Sequence, residues 1–286
     1  MGELLAGSVR HSKTGVITHA NEQNAARVLY CVAQAITDCE IKVPNITAPG
    51  QLPVVTKACQ VLRINELSQH VSQVFLQLPA GKAVTWHPGQ YLALLINGEE
   101  FPFSIANAPT GRHIELHIRH AGSGTNAELI MAYLRENPTV RVTLPMGQRH
   151  VGTLDSARPL WLICGSTGFA QAKAIIEAAI AAGHPAIHLF WGARNLEELY
   201  LHALPEQWAA DGLIDYTAVL SEEPAPGLAE GLVHEAVLAV QPPQVQPQCL
   251  IAGSPAMGWA VFDALTEAGF PPQDLHADAF DYAPRP

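Results

Sequence analysis

Residues 159–164 form an apolar run that passes through a Gly-Ser-Thr-Gly turn into residues 169–182, where only Gln171, Lys173 and Glu177 are polar. A short run without polar alternation suits a strand covered on both faces. The segment after it is apolar around most of its circumference, so a helix there must be covered by a sheet and its neighbours. A buried strand feeding a buried helix opens a parallel α/β unit, and the alternation continues downstream. Strands are expected at 186–191, 214–220 and 249–252, helices at 196–209, 231–240 and 256–268, and a last strand near 275–280. The pattern predicts a doubly wound parallel-sheet domain over residues 156–286, with ligands at the carboxyl ends of its strands.

The texture upstream is different. Between residues 51 and 155, short runs rich in β-branched and aromatic residues occupy 54–67, 70–78, 90–96, 101–107, 113–120 and 139–144, separated by turns such as Pro88-Gly89 and Asn97-Gly98. Six such runs predict a small antiparallel barrel, interrupted by one helix at 125–135. Residues 1–50 read as a separate piece that ends in a proline-rich linker. A chain of 286 residues has room for such an arrangement.

Charge and composition exclude other classes. Sixteen Lys and Arg against 26 Asp and Glu give a formal charge of −10, which leaves little to neutralise nucleic acid or an anionic membrane surface. No apolar run approaches the roughly 20 residues of a membrane span, and the N-terminus lacks a signal-peptide core, so a cytoplasmic protein is expected. Five scattered cysteines (Cys31, Cys39, Cys59, Cys164, Cys249) contain no C-x-x-C pair and are expected as buried thiols.

Two turns stand where a doubly wound sheet binds ligands. In Gly165-Ser166-Thr167-Gly168-Phe169, backbone N–H groups at a helix start would face a diphosphate. Gly165 is expected at positive φ, and Gly168 where a Cβ would collide. Ala252-Gly253-Ser254-Pro255-Ala256-Met257 repeats the design after a later strand. In the barrel, alternation along Phe101-Pro102-Phe103-Ser104-Ile105-Ala106-Asn107 puts Ser104 on the face opposite the aromatic residues. The strand at 113–120 places His113, Glu115, His117 and Arg119 on one face. Side chains two apart are about 7 Å from each other, too far to share a metal unaided, so this face is read as solvated.

Taken in order, Pro88-Gly89-Gln90-Tyr91, the Pro102 to Asn107 segment, the Gly165 to Phe169 turn and the Ala252 to Met257 turn resemble the ferredoxin–NADP reductase superfamily. The likeness is strongest to bacterial NAD(P)H–flavin reductases and CDP-6-deoxyglucoseen-type reductases. It implies an NAD(P)H-dependent flavin oxidoreductase, with FAD or FMN on the barrel and a nicotinamide nucleotide on the α/β domain. Electrons would pass on to a protein acceptor or to free flavin. On this resemblance Pro102, Phe103, Ser104, Ile105, Ala106, Asn107 and Ile118 line the flavin, with Ser104 hydrogen-bonding it near N5 as the catalytic residue. Gly165, Ser166, Thr167, Gly168 and Phe169 place the diphosphate. Gly253, Ser254, Pro255 and Met257 hold the nicotinamide end, and Phe280 or Tyr282 covers the ring, although Phe280 reads more readily as a simple core aromatic.

The sequence departs from the family pattern in places. Phe101 stands where the family carries a phosphate-binding arginine, and Ala252 where it carries a cysteine. Gly122-Ser123-Gly124-Thr125 offers a substitute phosphate turn, with Thr125 equally readable as a plain helix cap. These departures also admit a non-catalytic, reductase-like module that binds a nucleotide or a partner. Arg194 is followed by Glu197 and Glu198, whose charge opposes a 2′-phosphate, so NADH is expected over NADPH. Residues 2–9 and 28–35 resemble the second half of a plant-type [2Fe-2S] ferredoxin, with Cys31 as the fourth cluster ligand. The first three ligands would precede Met1, so no cluster is expected in this chain. An internal start, a lost cluster and an unrelated cap all remain open.

Overall fold

The computed structural model describes residues 2–21, 23–43, 51–81, 83–120, 124–283 and 285. The chain divides into two compact units, Met1–Pro53 and Val54–Pro286. In the first, the strand Gly2–His11 pairs antiparallel with four short strands, Ile17–Ala20, Ala26–Val28, Ala33–Ala35 and Glu40–Lys42. Leu4 and Val9 are its buried apolar side chains among the described residues. So thin a unit cannot enclose every thiol: Cys31 is exposed and Cys39 half-buried, against the expectation of five buried cysteines, which Cys59, Cys164 and Cys249 alone meet.

The second unit contains an antiparallel barrel and a parallel sheet. The barrel strands run in the order His113–Arg119, Val71–Gln77, Val55–Ser68, Thr139–Met146, Tyr91–Ile96, Glu99–Ser104. Just past the last of these, the Ala106 N–H donates to the Glu115 carbonyl at 2.8 Å and joins the two ends. Leu76, Leu92, Leu94, Ile105, Ile114, Leu116 and Ile118 fill the interior. The helix Asn126–Glu136 is capped by Thr125, whose hydroxyl accepts from the Glu128 N–H at 3.3 Å.

The parallel sheet is ordered Ala229–Glu230, Asp215–Leu220, Ile187–Ala193, Leu160–Gly165, Gln248–Ala252, Leu275–His276. Along its central strand, Leu160, Leu162 and Cys164 enter one apolar core and Trp161 and Ile163 the other, so both faces are covered as the unbroken apolar run requires. Winding proceeds outward from Leu160–Gly165 in one direction, then jumps to Gln248–Ala252 on the other side. That switch point opens a crevice at the carboxyl ends of these two strands.

Two expected elements differ. In place of a helix over 196–209 there is a single helical turn, Leu196–Glu198, and then the helix Ala203–Ala210. In place of a strand to residue 280, the chain leaves the sheet after His276 and forms the short helix Ala279–Tyr282, where Phe280 packs on Trp259 at 4.4 Å between ring centroids. The aromatic contact with the helix Pro255–Glu267 outweighs the alternation that suggested a strand.

Candidate functional site: a trough at the switch point

The two turns at the switch point are locked against each other. A Cβ on Gly168 would lie 2.1 Å from the Ala252 carbonyl oxygen and 2.5 Å from its carbon. Only glycine allows that approach, since backbone cannot swing aside as a side chain tip does. Gly165, by contrast, is extended at φ −122°, not at the positive φ expected for it. The left-handed residue of the turn is Ser166, at φ 50°. A non-glycine residue held there stores strain, and such positions gather at ligand sites. The turn is braced from behind: the Trp191 indole N–H donates to the Ser166 carbonyl at 3.0 Å, and Phe169 stacks on Trp191 at 3.9 Å. Ser166, Thr167 and Gly168 open the helical stretch that continues through Phe169–Ala181, so their N–H groups have no partner within it. In the second turn, Ser254 caps the helix Pro255–Glu267 by accepting from the Met257 N–H at 3.3 Å, with Pro255 opening it.

Facing these turns is the barrel strand Glu99–Ser104, paired so that Ser104 stands opposite Tyr91. Together they enclose a cavity of about 660 Å³, lined from the barrel by Tyr91, Pro102, Phe103 and Ser104 and from the α/β side by residues 165–168 and 251–254. The Ser104 hydroxyl has no hydrogen-bond partner among the described residues and is left available to a ligand. Aromatic and apolar walls with a few placed polar groups suit a planar heteroaromatic ring system, and the volume is that of a cofactor site. The residues present therefore fit a flavin ring and a nicotinamide. Phosphate is another matter: Phe101 packs against the barrel core, and Arg119 is the one Lys or Arg among the described residues lining the cavity.

Several residues expected to line the site do not. Ile105, Ala106, Ile118 and Phe169 are fully buried, the first three in the barrel and the last beneath the turn. Asn107 is occupied with the local backbone, accepting from the Glu115 N–H at 2.8 Å. Phe280 takes the core role that is the readier reading of it, in the aromatic cluster with Trp259 and Phe262. Gly124 and Thr125 line neither cavity described here; Gly122 and Ser123 lie outside the described residues, as does the Tyr282 side chain.

Of the strand face read as solvated, His113 is exposed and Arg119 partly so, but the middle is buried. Glu115 is 8% and His117 3% exposed, because the helix Phe169–Ala181 and Tyr200 cover them. Lys173 lies 3.2 Å from one oxygen of Glu115, and His117 Nε2 2.9 Å from the other, to which Gln73 also donates at 2.7 Å. Lys173 donates further to the Ala106 carbonyl at 3.1 Å, and His117 Nδ1 meets the Tyr200 hydroxyl at 2.9 Å. Burial alone would raise the Glu115 carboxyl, but the His117 hydrogen bond, the Lys173 charge and the Gln73 hydrogen bond prevail and bring it to about 2. Burial depresses His117 against the opposing pull of Glu115 and holds the ring neutral, so Nε2–H donates to Glu115 while Nδ1 accepts from Tyr200. His117 also reaches the cavity wall.

A smaller cavity of about 260 Å³ adjoins the first and shares Arg119, Gly165, Ser166 and Ser254 with it. Arg194 lines it, as do Met257 and Glu198. The Glu198 carboxylate engages Arg194 through both Nε, at 2.9 Å, and Nη2, and reaches the Arg119 Nη2 at 3.0 Å. The backbone N–H groups of Glu222 and Glu223 both donate to the Arg194 carbonyl at 3.0 Å, so a second acidic pair borders the same arginine. Sequence reasoning missed this pair because it follows a different strand.

Also missed was Asp278, on the cavity wall, which accepts from the Gln171 side chain at 2.8 Å while Gln171 bonds the Gly89 carbonyl at 2.7 Å. The signal was present: Gln171, Lys173 and Glu177 are the polar exceptions on an otherwise apolar helix, and the first two bind the barrel directly. Among the described residues no group of three or more His, Cys, Asp or Glu side chains is placed to hold a metal, and no helix is long and apolar enough to cross a membrane.

Comparison with known proteins agrees with this geometry. A family model described as an oxidoreductase NAD-binding domain matches residues 162–262. The chain is 28% identical over 280 residues to the CDP-6-deoxy-L-threo-D-glycero-4-hexulose-3-dehydrase reductase of Yersinia pestis, covering 97% of this chain and 84% of that one. It is 31% identical over 242 residues to protein RfbI of Salmonella typhimurium, covering 82% and 70% respectively. Among solved structures, the cytochrome P450 reductase GcoB of Amycolatopsis superposes with a TM-score of 0.71 at 25% identity, over 96% of this chain and 86% of that one.

Proposed function

The chain belongs to the ferredoxin–NADP reductase superfamily, and from that membership we propose how its trough works as the site of an NAD(P)H-dependent flavin oxidoreductase. Residues 51–155 hold the flavin and residues 156–286 the nicotinamide nucleotide, while residues 1–50 form a partial ferredoxin-like segment and linker. The bound flavin supplies an acceptor for hydride from the nicotinamide. What the chain contributes is placement. The Gly165 to Gly168 turn receives the coenzyme diphosphate on its N–H groups, and the Gly253 to Met257 turn carries the nicotinamide end. Ser104 donates a hydrogen bond to the flavin where charge develops. The wall of Pro102 and Phe103 excludes water from the contact.

The observation that carries this reading is that one cavity is lined both by Ser104 and by the two locked turns. Anaerobic stopped-flow mixing with NADH tests it. Ser104→Ala should slow flavin reduction by at least about tenfold, a barrier increase of about 1.4 kcal/mol, with the Kd for NADH little changed. A rate within twofold of wild type removes Ser104 from the reaction.

A protein acceptor is the favoured destination of the electrons, since two of the proteins the chain resembles are named as reductases of a dehydrase and of a cytochrome P450. The lack of an arginine at position 101 supports a second reading, free flavin bound and released as a substrate. A purified protein that is colourless and oxidises NADH only when flavin is added selects the second; a yellow protein with no flavin dependence selects the first.

A further inference from the structure

Glu198 carries more contacts than a carboxylate on a short surface turn needs. It accepts from Arg119 Nη2, from Arg194 Nε and Nη2, and, on its other oxygen, from the Arg194 backbone N–H at 3.2 Å. Asn195 fixes the turn by accepting from the Glu198 N–H at 3.2 Å. The Glu198 side chain is only 11% exposed, whereas the Arg119 and Arg194 side chains are 36% and 50% exposed. Arg119 ends a barrel strand, Glu198 and Arg194 follow a strand of the parallel sheet, and the link between them stands where the two cavities meet. Both cavities are also walled by Gly165 and Ser166, at the opening of the turn whose N–H groups face the trough. An arginine presents five donors, and Arg119 spends one of them on Glu198.

We propose that Glu198 is an internal counter-anion that competes with the coenzyme diphosphate for Arg119, and so sets how tightly the trough holds a nucleoside diphosphate. Without ligand, the carboxylate neutralises the cations at the throat. A diphosphate arriving at the Gly165 turn must draw Arg119 away from Glu198 before it gains that charge-assisted contact, so part of its binding is spent on the exchange. Glu198 thereby weakens coenzyme binding and speeds its release, which favours turnover when coenzyme is abundant. The inference rests on the reading that this trough takes a nicotinamide dinucleotide.

The test is a calorimetric titration of the purified, flavin-loaded protein with ADP and, separately, with adenosine. In Glu198→Gln the Kd for ADP should fall about tenfold while that for adenosine stays within twofold, because adenosine has no phosphate to compete. Arg119→Ala introduced into Glu198→Gln should abolish the gain. Glu198→Asp, with a shorter reach, should show a smaller gain and serves if the first variant folds poorly. An ADP affinity in Glu198→Gln that is unchanged or weaker overturns the proposal, as does a gain that survives loss of Arg119. Wild-type protein that binds adenosine and ADP equally well also overturns it, by showing that no cation meets the diphosphate. If no variant binds either ligand, the nucleotide reading itself fails, and this inference with it.

Discussion

Gly168 and His117 show how single positions set the behaviour of the trough. At Gly168 any side chain meets the Ala252 carbonyl, so Gly168→Ala must part the two turns or tilt the helix Phe169–Ala181. The expected cost is about 1–3 kcal/mol in urea unfolding, in the range of overpacking, with a larger effect on NAD⁺ affinity than on flavin affinity. Gly165→Ala is the control, because its Cβ would meet the flexible end of Met257. At His117 the folded protein resists protonation, because burial holds the ring below its ordinary value. The unfolded chain takes up that proton below about pH 6.5, so wild type loses stability relative to a variant without the ring as the pH falls. His117→Gln, whose Nε2 keeps the donor to Glu115, should be most destabilised near pH 8, with the difference in urea midpoint shrinking toward pH 5.5. A constant difference would mean that folding does not shift the ring's titration, and one that grows toward pH 5.5 would mean that the ring is protonated in the fold.

Among the elements, the ends of the strands are where the proposed choice of coenzyme falls. Arg194 follows the strand Ile187–Ala193, and around it stand Glu198 from the next turn and Glu222 and Glu223 beyond the strand Asp215–Leu220. A 2′-phosphate near this arginine meets the Glu198 carboxylate, which already occupies the guanidinium, and the charge of Glu222, which also acts on Arg194. NADH should be preferred over NADPH by at least about tenfold in kcat/KM, measured with a saturating flavin acceptor. Equal values would place the 2′ group elsewhere. The same element shows what the sequence reveals and what it hides. Its apolar run and the parallel alternation are local signals, so the sheet, the switch point and both turns are readable from the residues themselves. Glu222 and Glu223 come near Arg194 only because two strands pair in parallel, and no spacing along the chain announces that. The strand His113–Arg119 makes the point more sharply, since its alternation is real but the middle of its polar face is covered by Lys173, 58 positions beyond Glu115. Alternation tells which side chains share a face; it does not tell what lies against that face. The end of the chain misled for another reason, because aromatic contacts of Phe280 decided a helix where short-range pattern favoured a strand.

At the scale of the whole Val54–Pro286 unit, the barrel and the parallel sheet have distinct apolar cores; Val71 of the barrel packs into that of the sheet, and a buried charged contact, Lys173 with Glu115, also joins them. Both side chains are only about a tenth exposed, so removing one strands the other's charge out of water. Lys173→Met should cost about 3–5 kcal/mol, and pairing it with Glu115→Gln should restore much of the loss, since the buried charge is then gone and only the more exposed Glu177, which also pairs with Lys173 at 3.0 Å, loses a partner. Calorimetry adds a readout specific to coupling: the single variant should separate the melting of this unit into two steps, which the paired variant brings back toward one. If the single variant melts in one step at the wild-type temperature, the contact does not couple the two cores.

The close approach of Gly168 to Ala252 has a bearing on how such a protein can change over time. With the two turns in backbone contact, the floor of the trough has no slack; a mutation there disturbs the seats proposed for diphosphate and nicotinamide together. The rim, where Arg119, Arg194 and Glu198 stand, consists of long side chains that can be exchanged one at a time without moving the main chain. Adaptation to a new coenzyme therefore has an open path along the rim and a closed one through the floor, so descendants of this chain would be expected to differ in their charges before they differ in their glycines.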